Sequence, residues 1–156
     1  MKLDPRWEFV SDQVMGGVSR GNVTVTEVDG QTVHRLTGSV SLENNGGFVQ
    51  MAFDLAKNGS VVDASGFSGV TLDIRGNAEP YDLRLRTAQL TRPWQSFRTS
   101  FVATRDWSTV RLPFVDFEAH RTDAAFDPAN LRRIGILGIG REFEADVSVR
   151  AIAFYD

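Results

Sequence analysis

Gly17-Val18-Ser19-Arg20-Gly21 has the G-x-S-x-G spacing that presents a nucleophilic serine on a tight turn. That turn needs a strand before the serine and a helix after it. The residues that follow, Asn22-Val23-Thr24-Val25-Thr26, alternate as a strand does. His34 and His120 are the available general bases, and neither lies in a spacing that pairs it with Ser19. The segment therefore reads as a glycine-rich loop around a hydrogen-bonded serine. Gly135-Ile136-Leu137-Gly138-Ile139-Gly140 lacks the G-x-G-x-x-G spacing and leads into no helix that could receive a phosphate. Small residues at a close approach of strands account for it. The two histidines have no ligand spacing for zinc. Asp116, Glu118, Asp123 and Asp127 gather in one stretch without EF-hand spacing, so a solvated acidic loop is expected, with calcium as the alternative. Asn22-Val23-Thr24 and Asn58-Gly59-Ser60 are glycosylation sequons, of consequence only in a secreted chain. No catalytic residue, metal ligand or cofactor is assigned.

The constellation with more chemical promise is cationic. If Tyr81, Leu83 and Leu85 face a core, Asp82, Arg84 and Arg86 share the opposite face. Arg75 and Arg98 stand at the same phase of their own runs, and Trp94 and Gln95 lie just before Arg98. Arg75, Arg84, Arg86, Trp94, Gln95 and Arg98 are thus the candidate binding residues. Guanidinium groups grip carboxylates or phosphates bidentately, and a tryptophan offers a flat apolar platform. The alternative is a solvated sheet face whose arginines pair with Asp73, Asp82 or other acidic side chains.

Strands must position these residues. Val70, Leu72 and Ile74 alternate with Thr71, Asp73 and Arg75, and Phe97, Thr99 and Phe101 alternate with Arg98 and Ser100. Asp29-Gly30 separates Val23–Val28 from Thr32–Leu36 as a hairpin turn. Asn45-Gly46-Gly47, Asn58-Gly59 and Gly76-Asn77 punctuate the later runs. One helical turn is expected at Asp127–Leu131, capped by Asp127, and no long amphipathic helix. Ile134–Ile139 and Val147–Tyr155 close the fold. Val147 and Val149 are out of phase with Ile152 and Phe154, which predicts a bulge near Ala151. The expectation is an all-β, antiparallel two-sheet sandwich of the jelly-roll kind, one domain over residues 1–156.

A chain of 156 residues can bury a core without staples, and with no cysteine it has no disulfide or thiolate metal site. A net charge of -3 gives no support to nucleic-acid binding. All but Lys2 and Lys57 of the 17 basic residues are arginine. The N-terminus has no apolar signal-peptide region and no run is long enough for a membrane helix, so the expected location is cytoplasmic.

Trp7-Glu8-Phe9-Val10-Ser11-Asp12-Gln13-Val14-Met15-Gly16-Gly17-Val18-Ser19 resembles the opening signature of the complex I intermediate-associated protein 30 family, in which a Trp precedes Asp-x-x-Met-Gly-Gly-x-Ser. Gly46-Gly47-Phe48, Gly69 through Gly76, and Tyr81-Asp82-Leu83-Arg84-Leu85-Arg86-Thr87 are similar to later elements of the family, in order. Phe97–Phe101, Trp107, Leu112-Pro113-Phe114 with Phe117, and Ile134-Gly135-Ile136 continue the likeness, which spans about residues 7–155. The resemblance implies a galactose-binding-like jelly roll and a non-catalytic, chaperone-like assembly role. The implied partner is a protein, such as a subunit of a respiratory NADH:ubiquinone oxidoreductase complex. The residues themselves keep a second function open, a carbohydrate or small-anion module using the arginine-bearing face. Physically, Asp12 is expected to accept turn amides from the Gly16-Gly17 loop, and Trp7 to bury its ring.

Overall fold

The computed structural model describes residues 1–156, the side chain of Asn45 apart. Eleven strands follow in chain order: β1 (Glu8–Ser11), β2 (Arg20–Val28), β3 (Gln31–Val40), β4 (Phe48–Asp54), β5 (Gly69–Gly76), β6 (Pro80–Thr87), β7 (Ser96–Val102), β8 (Ser108–Pro113), β9 (Glu118–His120), β10 (Leu131–Ile139) and β11 (Phe143–Tyr155). They form a six-stranded sheet, β1-β4-β10-β6-β7-β9, and a five-stranded sheet, β2-β3-β11-β5-β8. Every pairing is antiparallel. Helical structure among the described residues is confined to short 3₁₀ turns. The turn expected near Asp127 is Pro128–Asn130, with the Asp127 carboxylate accepting from Ala129 N. No helix is long and apolar enough to cross a membrane.

The period-2 pattern explains how the sheets face each other. Val70, Leu72 and Ile74 of β5 and Val147, Val149, Ile152 and Phe154 of β11 meet Met51 and Phe53 of β4, Tyr81, Leu83 and Leu85 of β6, and Ile134 and Ile136 of β10 in one buried core. Phe126, carried by the loop before β10, closes one end against Phe97 and Phe114, with ring centroids 5.1 and 5.4 Å away. The β2–β3 hairpin turns on Asp29 and Gly30, whose φ values of 51° and 77° are those of the tight turn that matches strand twist. In β11 the ladder to β5 shifts between Val149 and Ala151, which is the bulge the phase change predicts.

One phenol ties the two layers together. Tyr81 rises from β6 of the six-stranded sheet, and its hydroxyl accepts from Asp146 N on β11 at 2.8 Å and donates to Asn77 Oδ1 at 2.8 Å.

Candidate functional site

The register of the six-stranded sheet aligns a single outward row from edge to edge. Glu8 of β1 lies beside Ala52 of β4, then Gly135 of β10, Arg84 of β6, Arg98 of β7 and Glu118 of β9. An acidic residue stands at each end, two small residues lie together, and two arginines face each other across a strand pair. A second row, Val10, Gln50, Leu137, Asp82 and Ser100, runs alongside. Gln50 reaches over the hollow at Gly135, where a Cβ would come within 2.5 Å of its Oε1. That close approach is what the glycine permits.

The charges at this end of the sheet are unevenly paired. Arg84 pairs with Asp82 on its own strand at 3.0 Å, and its side chain is only 13% exposed. Arg98 opposite it is exposed and forms no ion pair among the described residues. Burial draws Arg84 below its ordinary pKa, with Arg98 and Arg121 adding to the effect and Asp82 opposing it. His120, at the β9 edge, is likewise held below its usual value by burial, then by Arg98, Arg84 and Arg121. Like charges on adjacent strands repel, so this end of the sheet gains from an incoming carboxylate.

The structure brings Arg84, Arg86 and Arg98 onto this face, and it separates Arg75 from them. β5 and β6 are consecutive in the chain but belong to opposite sheets, so their outward side chains project in opposite directions. Arg75 instead lies over the Trp107 ring at 4.9 Å, beside Arg150 at 4.3 Å. The expectation that Arg75 joins the set is therefore corrected. Trp94 sits on the β6–β7 loop, 51% exposed, with Arg92 at 6.0 Å from its ring. Gln95 is held within that loop: its Oε1 accepts from Thr91 N and Arg92 N, and its Nε2 donates to Arg121 O. The sequence reading named Glu8, Gly135 and His120 in other settings and placed none of them on this face. The alternation of Arg133, Gly135 and Leu137 against Ile134 and Ile136 carries the outward phase of β10, but nothing local says that β10 lies beside β6.

The Ser19 segment is scaffold. Ser19 is fully buried, its hydroxyl donates to Asp12 Oδ2, and it accepts from Ser41 N at 2.8 Å. Asp12 also accepts from Ser19 N at 3.0 Å, Gly47 N at 2.6 Å and Phe48 N at 3.2 Å. Asp12 does accept a turn amide from the Gly16-Gly17 loop, but through its backbone carbonyl, from Gly17 N at 2.9 Å, while its carboxylate takes the amides of Ser19, Gly47 and Phe48. Gly17 and Gly46 also make room: a Cβ at either would come within 2.4 or 2.5 Å of the Asp12 carboxylate. The acidic stretch is dispersed. Glu118 lies opposite Arg98, and Asp127 caps its own turn.

The architecture defined by these two sheets is that of β-sandwich carbohydrate-binding modules. A family 11 module from Clostridium thermocellum, solved in complex with a β-1,3-1,4-mixed-linked tetrasaccharide, superposes with a TM-score of 0.79 at 14% identity, over 99% of this chain and 94% of that one. A family 30 module of a cellulosomal cellulase from the same organism gives 0.70 at 17% identity, over 98% and 94%. At such identities the likeness is one of fold. A search of curated proteins finds no match. The family is given by the sequence: the family model for complex I intermediate-associated protein 30 matches residues 2–148, and the chain belongs to that family.

Proposed function

We propose that this chain is a non-catalytic binding module that docks a protein partner on the outer face of its six-stranded sheet, in an assembly role. The observation that carries this reading is the edge-to-edge row, in which the solvent-facing Arg98 stands opposite Arg84 and next to Glu118. Such a row sets a pair of arginines and two small residues between acidic ends, along five strand spacings of ~4.8 Å, which suits an extended or helical segment of a protein. The family's name associates its namesake with an intermediate of complex I. That supports a partner drawn from the subunits of a respiratory NADH:ubiquinone oxidoreductase complex.

A carbohydrate ligand is the second reading, favoured by the fold likeness to carbohydrate-binding modules. The outward residues of the six strands include no tryptophan or tyrosine on which a sugar ring could stack, and Trp94 belongs to a loop. This ranks the sugar behind the protein.

The test is affinity purification from the chain's own cells with mass spectrometry, comparing wild type with Arg84→Gln/Arg98→Glu. Retention of an oxidoreductase subunit by wild type, and its loss by a folded variant, is the expected result. A hot-spot contact of this kind contributes roughly 2 kcal/mol or more. Undiminished capture by the folded variant moves the surface elsewhere. Retardation of wild type in glucan-containing gels favours the sugar.

A further inference from the structure

At the end of β6 lies a cleft of about 220 Å³ whose lining includes Arg86, Thr87, Arg132, Arg133, Asp54 and Gly59. A bulge shapes it. The β10–β6 ladder pairs Leu131 with Thr87 and Arg133 with Arg86, leaving Arg132 as the extra residue. Two consecutive arginines of β10 thereby line one cleft with an arginine of β6.

The charges there are not balanced. Arg133 is met by Glu8 at 2.6 Å and Asp54 at 2.8 Å. Arg132 donates through Nε to the carbonyl of Gly59, and Arg86 through Nη2 to the carbonyl of Arg92, each at 3.0 Å. Among the described residues neither has a carboxylate partner. Two polar atoms of the lining residues are shut off from solvent and have no hydrogen-bond partner: Arg86 Nε and Thr87 Oγ1. A buried donor left unpaired is costly, more so on a charged group. The Arg86 guanidinium is drawn below its ordinary pKa by burial, then by Arg133 and Arg132, with Asp54 opposing.

We propose that this cleft binds a phosphate group, held by Arg86 and Arg132, with Arg133 at its edge. Two guanidinium groups free of carboxylates match the charge of a phosphate, about −1.5 to −2 at neutral pH, better than that of one carboxylate. Its three acceptor oxygens can take donors arriving from two strands at once. The cleft lies at one end of the same outer face, and neither Arg84 nor Arg98 lines it.

Phosphorus-detected NMR titration with inorganic phosphate and with glycerol 3-phosphate, at matched ionic strength in chloride, tests this. Wild type and Arg105→Met should bind saturably and alike. Arg132→Met and Arg86→Met should each bind at least tenfold more weakly. Arg86 stands on a different strand, so its variant carries the test if Arg132→Met does not fold. Vesicles of phosphatidylcholine with phosphatidic acid present the same group on a lipid. Sedimentation with them that Arg86→Met or Arg132→Met abolishes supports the cleft and assigns the phosphate to a membrane, whereas saturable binding of glycerol 3-phosphate assigns it to a soluble ligand. Absence of saturable binding to every probe, or wild-type binding by both variants, overturns the proposal.

Discussion

Asp12 and Ser19 form one buried unit, with the serine donating to the two carboxylate oxygens from its hydroxyl and from its backbone N–H. The hydroxyl so committed is not free to attack a substrate. Ser19→Ala should lower stability by about 2 kcal/mol, the loss of a buried hydrogen bond to a charged group. A fluorophosphonate probe should leave wild type unlabelled. Labelling at Ser19 would restore the nucleophile.

The same unit sets the acid response. Burial pushes the Asp12 carboxyl up, and hydrogen bonds from Ser19, Gly47 and Phe48 outweigh it, so the group lies below its ordinary value. The folded chain therefore holds this proton less readily than the unfolded chain. The stability it contributes is complete above the unfolded carboxylate pKa of about 3.9 and is lost as pH falls through the folded value. Asp12→Asn, which turns an amide donor toward other donors, should cost about 3 kcal/mol near neutrality and flatten melting curves taken below pH 4. A variant as acid-sensitive as wild type would place the titrating group elsewhere.

Tyr81 gives the alkaline counterpart. Its hydroxyl is pushed up to about 12, chiefly by burial. The unfolded phenol ionises near pH 10, so stability should fall as pH rises from about 10 and level off above the folded value. Tyr81→Phe should remove about 1–2 kcal/mol and that pH dependence together.

His120 reports on the proposed docking face. Its suppressed pKa arises from burial and from Arg98, Arg84 and Arg121. Imidazole resonances in NMR should titrate below about 6.5 in the free chain. Arg98→Gln should raise the midpoint, and so should an acidic partner seated on the face. A midpoint indifferent to both would separate His120 from the Arg84–Arg98 pair.

Much of this was legible in the sequence, and the failures share one cause. Alternation identified the buried set of β6 and the turn at Asp29-Gly30 because both are local. The phase change at Val149 to Ile152 revealed the β11 bulge for the same reason. Arg75 was misplaced because alternation gives the face of a strand but not the sheet it joins. Gly47 donates to Asp12 from 35 residues away, a distance no local period spans. Arg132 and Arg133 went unnoticed because the second bulge, between Leu131 and Arg133, leaves an apolar pattern that reads as an ordinary strand start. Gln95 looked like a binding residue next to Trp94, but its amide is spent on loop backbone.

The strand order has a consequence for how the chain is made. β10 separates β4 from β6, and β11 separates β3 from β5, so the strand that joins the two halves of each sheet is one of the last two in the order of the strands. Until Leu131 and the residues after it leave the ribosome, each sheet exists as two halves with bare inner edges. Those edges are templates for pairing with another chain. Folding must therefore wait until β10 and β11 are made, and the contacts that complete it are long-range and slow to form. A chain built this way needs shelter during its synthesis, and a nascent chain stalled before β10 is the species most exposed to aggregation.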